Sequence, residues 1–166
     1  MKSSYEIGDI KNLIFKKQNI LFALIILIIF FIDRISKINV INNFSENSYF
    51  INSFTNLDLI WNVGIGFGFL STDSNLIYGL ITLFIALVIL MLIYVLILSN
   101  NLDKLIYSMI IGGAIGNFYD RLMFKAVPDF IDLHYNNFHW FTFNVADIFI
   151  TVGIMIFILR SFFVKN

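Results

Sequence analysis

Leu105-Ile106-Tyr107-Ser108-Met109-Ile110-Ile111-Gly112-Gly113-Ala114-Ile115-Gly116-Asn117-Phe118-Tyr119-Asp120-Arg121 runs for 15 uncharged residues before it meets an acid. A helix that crosses a bilayer needs roughly 20 predominantly apolar residues. To span, this segment must carry Asp120 to membrane depth. Two other segments face the same shortage: 15 uncharged residues from Gln18 to Ile32 precede Asp33, and only 12 from Ile148 to Leu159 follow Asp147. A charge inside the bilayer costs about 2.5–3.5 kcal/mol even on the lenient insertion scale, and such charges mark functional sites. An alternating topology brings all three acids to one face of the membrane.

Composition supports a membrane class. Of the 166 residues, 59% are hydrophobic and 13% charged, and mean hydropathy is +0.86. A soluble domain would be nearer 45–50% apolar and 25% charged. The formal net charge is zero, which gives no footing for a nucleic-acid partner. There is no cysteine, so disulfides, thiolate catalysis and cysteine-ligated metals are excluded. The run Ile20–Ile32 follows Lys11, Lys16 and Lys17 as a secretory signal would. Asp33-Arg34-Ile35-Ser36-Lys37 then stands where a cleavage site needs small residues, so the segment reads as a retained anchor.

These features predict an all-α, four-transmembrane-helix bundle in one domain over 1–166, with spans at about 17–38, 75–98, 104–124 and 143–163. With the N-terminus inside, Lys2, Lys11, Lys16, Lys17, Lys104, Arg160 and Lys165 fall in the cytoplasm, seven of the eleven basic residues. That is the positive-inside pattern, and it puts both termini in the cytoplasm. Segments 39–74 and 125–142 then lie outside as a small β-rich cap with an interfacial loop or helix. Leu57, Leu59 and Trp61 alternate as in a short strand. Gly64, Gly66 and Gly68 with Phe67, Phe69 and Leu70 read as the interfacial element. Tyr135, Phe138, Trp140 and Phe141 have the aromatic character of headgroup level.

Asp129 and Asp147 are the candidate chemical pair. Val127-Pro128-Asp129 is expected to close the third span, since proline cannot continue a helix, and Asp147 to open the fourth. Two carboxylates about 3 Å apart cannot both ionise, so they share one proton. One can then act as general base on a water while the other polarises a peptide carbonyl. The plain alternative is a hydrated, inert pair at two helix ends. Asp33 and Lys37 are four apart in the order that favours a helical ion pair, and neutralisation explains them better than catalysis. Gly113, Asn117 and Arg121 share one helix face with Asp120 beside them. Gly112 and Gly116 make a small-xxx-small packing pattern, but packing does not account for Asn, Asp and Arg at membrane depth. Asn62-Val63-Gly64 offers a polar side chain and a close backbone approach, or simply a turn. His134 and His139 read as interfacial loop residues, and neither metal nor cofactor is expected.

On these residues the chain resembles the bacterial lipoprotein signal peptidases (signal peptidase II). Asp33-Arg34-Ile35-Ser36-Lys37 is similar to the family's Asp-x-x-Ser/Thr-Lys element. Asn62-Val63-Gly64-Ile65-Gly66-Phe67 is similar to Asn-x-Gly-Ala-Ala-Phe, with Ile65 and Gly66 in place of alanines. Gly112 through Arg121 follows Gly-Gly-Ala-x-Gly-Asn-x-x-Asp-Arg without a break. Val127-Pro128-Asp129-Phe130-Ile131 and Phe143-Asn144-Val145-Ala146-Asp147 resemble the segments that hold the family's aspartates. The resemblance implies an aspartyl endopeptidase of the bacterial inner membrane, with Asp129 and Asp147 as a catalytic dyad near the outer face. It implies cleavage of prolipoproteins just before a diacylglyceryl-modified cysteine. Asn62, Asn117, Arg121 and Asn144 match positions for substrate contact or support, and Asp33 and Lys37 a supporting pair. The expected partners are lipid-modified prolipoproteins and membrane lipids, and the chain is expected to act as a monomer.

Two other classes compete. A proton- or ion-coupled transporter would also place acids in the membrane, but these cluster at one face and the second span carries none. An assembly factor docking through the glycine-rich third span would leave the paired acids unexplained.

Overall fold

Apolar length and side-chain caps set the helices. The computed structural model describes residues 16–44, 48–64, 74–136 and 138–163. The elements run α1 (Lys17–Asn43), β1 (Tyr49–Asn52), β2 (Thr55–Asn62), α2 (Asn75–Leu98), α3 (Asn101–Phe124), β3 (Val127–Tyr135), β4 (Phe138–Phe143) and α4 (Val145–Phe163). The Ser74 side chain accepts from the Ile77 amide at the start of α2, and Asn100 accepts from Leu102 and Asp103 at the start of α3. Both satisfy amides that a helix start otherwise leaves without partners. α1 runs on to Asn43 rather than stopping near 38.

α1, α2 and α4 are each long and apolar enough to cross a membrane. α3 is as long as α2, at 24 residues, but it carries Asp103, Lys104, Asp120 and Arg121. Its position explains the polarity: α3 packs against α1, α2 and α4 and buries Lys104, Ser108, Asn117, Asp120 and Arg121. The other helices turn their apolar surface outward, as Leu76, Leu80, Leu83, Phe84, Leu87 and Leu90 do on α2. Thr82, Ile89 and Leu96, one heptad apart, are the buried seam of α2. Phe22, Ile89, Leu96 and Ile111 form the core between α1, α2 and α3.

Small residues let the helices come close. A Cβ on Gly113 would lie 2.4 Å from the Ala146 carbonyl oxygen, one on Gly112 2.8 Å from Ile29 Cβ, and one on Gly153 2.6 Å from Ile110 Cγ1. The glycines of α3 therefore seat α1 on one side and α4 on the other.

The sheet is antiparallel in the order β1-β2-β3-β4. The expected alternating strand is there as β2. The segment 125–142, expected as part of the outer cap, is the β3–β4 hairpin, and His134 and His139, expected in a loop, stand on its two strands. α3 ends at Phe124, where Lys125 takes the left-handed conformation at φ 54°. Pro128 therefore does not stop the helix; it is the second residue of β3, paired with Trp61. Proline is tolerated at a strand start. Asp129 consequently belongs to a strand, not to a helix end. The expected interfacial element around Gly66 and Gly68, with the Ile65-Gly66 departure, lies outside the described residues.

Candidate active site

β3 and the start of α4 deliver two carboxyl groups to one cavity. It measures about 330 Å³ and is lined by Asn62, Asn117, Arg121, Asp129, Asp147 and Thr151 at its polar end. Ile85, Ala114, Val127, Ile150 and Ile154 supply the apolar walls. The volume is within the roughly 300–1,000 Å³ of small-ligand sites.

Asn144 ties the two acids together. Its side-chain oxygen accepts from the Asp147 amide at 3.1 Å, and Asp147 Oδ2 accepts from the Asn144 amide at 3.2 Å. This is a capping box, with Asp147 three residues into the helix. The Asn144 side-chain Nδ2 donates to Asp129 Oδ1 at 2.6 Å. Asn62 donates to Asp129 Oδ2 at 2.9 Å, while its own oxygen accepts from the Gly64 amide at 2.8 Å. Asn117 donates to Asp147 Oδ1 at 2.8 Å. All four carboxyl oxygens are thus held by donors. Burial and then the neighbouring Asp147 push the Asp129 carboxyl up to about 6, against the opposing effect of Asn62, Asn144 and the Lys37 charge.

Behind the pair lies a charge cluster whose Asp33, Lys37 and Asp120 are fully buried and whose Arg34 is nearly so. Lys37 donates to Asp33 Oδ2 and to Asn117 Oδ1, both at 2.8 Å, and stands 2.7 Å from Asp120 Oδ2. Arg34 pairs with the other oxygen of Asp120. Two acids face two cations, so the cluster is neutral, as a buried ionic group must be. Asp33 Oδ1 accepts from the Ala146 amide at 2.9 Å and thereby caps the first turn of α4. Gly116 makes room for it, since a Cβ there would lie 2.5 Å from Asp33 Oδ2. Lys37 thus orients Asn117, and Asn117 orients Asp147.

Every site residue expected from the sequence except Gly113 falls within this arrangement. Gly64 enters through its backbone, with its carbonyl accepting from Arg121 at 3.0 Å. Arg121 also donates to the Asn117 carbonyl at 3.1 Å, so it holds the segment after β2 as well as lining the cavity. Gly113 packs against Ala146 and Ile150 of α4, and Asp120 joins the charge cluster, not the cavity wall. Sequence reading missed Arg34 as the second cation, the Ala146 amide and Thr151. For Arg34, two buried acids beside a single assigned lysine were the available signal.

The family model described as signal peptidase (SPase) II matches residues 25–163. The chain belongs to the signal peptidase II family. A lipoprotein signal peptidase of Pelagibacter ubique is 45% identical over 158 residues, covering 93% of this chain and 95% of that one. One of Anaplasma marginale is 36% identical over 86% of this chain and 84% of its own. One of Francisella tularensis subsp. novicida is 40% identical over 70% and 74%. Two solved structures, each described as a bacterial membrane enzyme, share the fold. One has TM-score 0.71 at 27% identity, covering 98% of this chain and 92% of that one. The other has TM-score 0.70 at 26% identity, covering 97% of each. This signal peptidase II family member is therefore a membrane-embedded peptidase, with its apolar helices displayed to lipid.

Proposed function

We propose that this chain is an aspartyl endopeptidase that removes signal peptides from diacylglyceryl-modified prolipoproteins, with Asp129 and Asp147 as the catalytic dyad. The observation that carries this reading is the convergence of Asp129 and Asp147 on one amphipathic cavity, both acids bound to Asn144. One proton serves the pair. The ionised carboxylate takes a proton from a water in the cavity, the water attacks the peptide carbonyl, and the protonated partner supports the developing oxyanion and then the leaving amine. Ile85, Ala114, Ile150 and Ile154 give the cavity apolar walls on three helices, which suits a substrate carrying acyl chains.

Four spans, with α3 as the third and least apolar, put both termini in the cytoplasm and the dyad toward the outer face. Lys37, Asp33, Asn117 and Asn144 are positioning residues. Arg121, Asn62 and Gly64 border the peptide, and the chain works without a partner subunit.

Incubating the purified chain in detergent with a diacylglyceryl-modified prolipoprotein should yield the shortened product on a gel. Asp129→Asn and Asp147→Asn should each lower turnover by at least about 10²–10⁴-fold, the scale of a lost general acid or base, while remaining folded. Retained turnover in either variant refutes the dyad. Absence of cleavage by the parent chain refutes the substrate.

A further inference from the structure

The β3–β4 hairpin carries a second cluster, independent of the dyad. Side chains alternate along a strand, so Asp132 and His134 project from the face of β3 opposite to Asp129. His139 is the cross-strand partner of His134, and Asn56 that of Asp132. The Asp132 Oδ2 atom lies 2.8 Å from His139 Nδ1 and 3.4 Å from His134 Nδ1. One ligand atom from each of the three residues falls within 4.8 Å of the other two. The imidazole rings are stacked, with centroids 5.3 Å apart. Asp132 and His134 are nearly closed off, with side chains 4% and 9% exposed, while His139 at 59% opens the group to solution. Two buried polar atoms stand out: among the described residues, Asn56 Oδ1 makes no hydrogen bond, and His134 Nδ1 has only the 3.4 Å approach to Asp132. Buried polar atoms in native structures are normally satisfied, and one cation among the two imidazoles and the carboxylate would satisfy the group together with Asn56 Oδ1.

We propose that Asp132, His134 and His139 form a divalent transition-metal site that takes Zn²⁺. Imidazole nitrogens with a carboxylate suit zinc, whereas Mg²⁺ and Ca²⁺ require oxygen donors. With zinc–nitrogen and zinc–oxygen bonds of about 2.0–2.2 Å, tetrahedral ligand atoms stand about 3.3 Å apart. The Asp132–His134 separation already matches that edge, and His139, the exposed member, needs only a small outward shift. Water or the Asn56 oxygen completes the fourth position. The ion lies on the sheet face away from the cavity and does not supply the attacking water. Its effect is mechanical: it clamps the hairpin that bears Asp129 on one strand and leads into Asn144 from the other.

The test uses tag-free chain in detergent, stripped with chelator and then dialysed against micromolar ZnCl₂, with bound metal counted by mass spectrometry. One zinc per chain is expected, together with a zinc-dependent rise in melting temperature, because a ligand of the folded state stabilises it. His139→Ala changes an exposed side chain and leaves folding intact. It should weaken zinc affinity at least about tenfold, the scale of losing a metal's supporting group, and abolish the thermal shift. Asp132→Asn should weaken zinc similarly. An Asp129→Asn, Asp147→Asn double variant should bind zinc as the parent does. Absence of stoichiometric zinc, unchanged affinity in His139→Ala, displacement of zinc by excess Mg²⁺, or loss of zinc in the double dyad variant would each overturn the assignment.

Discussion

Asp129 is held in two opposing ways. Asn62 and Asn144 donate to its oxygens, favouring charge, yet burial and Asp147 raise its carboxyl from the ordinary 3.8 to about 6. Between those two values the folded chain holds a proton that the unfolded chain releases, so stability falls as pH rises through that window. The contribution is complete below pH 3.8 and lost above about 6, a swing of about 3 kcal/mol. Asp129→Asn removes the ionisation. Its amide meets the donors of Asn62 and Asn144 at a cost independent of pH, so the slope carries the information. Melting temperature relative to the parent should climb between pH 4 and pH 7 and then level, and a flat difference would contradict the raised carboxyl. Lys37 offers a second test at this scale. It is fully buried between Asp33 and Asp120, and removing one member of such a pair strands the other at about 3–5 kcal/mol. Lys37→Met should lower stability by that amount in detergent melts. A variant melting with the parent would mean that the cluster is solvated.

At the scale of elements, what was legible in the sequence depended on which interactions are local. Runs such as Asn75–Leu98 carry their own hydropathy, and their helices stand as expected. β3 was hidden because Val127, Pro128, Asp129 and Phe130 are all buried, leaving no alternation to read. The aromatics of β4 give headgroup level but not their strand partner, and β1 is four exposed residues whose pairing partner β2 supplies the order. The Gly112–Arg121 motif pointed to the site residues, but the burial of its Asp and Arg among three helices is long-range information. Close approach of α3 and α4 also makes a prediction. Gly113→Ala would put its Cβ 2.4 Å from a main-chain oxygen of α4, which cannot swing aside as a side chain would. Overpacking of this kind costs about 1–3 kcal/mol, and here it displaces the turn that holds Asp147. Gly113→Ala should lose both melting temperature and turnover. Gly79→Ala, with nothing within 4 Å of the added carbon, should be neutral or gain up to about 1 kcal/mol from helix propensity. Equal behaviour of the two variants would remove close packing as the reason for Gly113.

The whole molecule is polarised from end to end. At one end α2 turns into α3 through Ser99 and Asn100 alone, Lys104 donates to Asn19 near the start of α1, and Arg160 pairs with Asp103. Lys16 and Lys17 begin α1 at that same end. At the other end lie the sheet, the dyad and the Asp33–Lys37–Asp120–Arg34 cluster, where acids neutralise two of the basic residues. Lysine and arginine near short loops favour the cytoplasmic side, so the orientation we propose turns the net basic end inward and the sheet outward. In that orientation the proposed dyad lies at the outer surface, as the proposed action on exported chains requires. Because the chain has no cysteine, a single introduced thiol reports its own side without background. Asn136→Cys, in the turn between β3 and β4, should react with a membrane-impermeant maleimide on intact spheroplasts. Ser99→Cys, between α2 and α3, should react only after lysis. The reverse pattern would invert the molecule and leave the dyad on the wrong side of its substrate. Labelling of both thiols from outside would mean that α2 or α3 does not span, reducing the bundle to the three helices whose apolar length alone suffices.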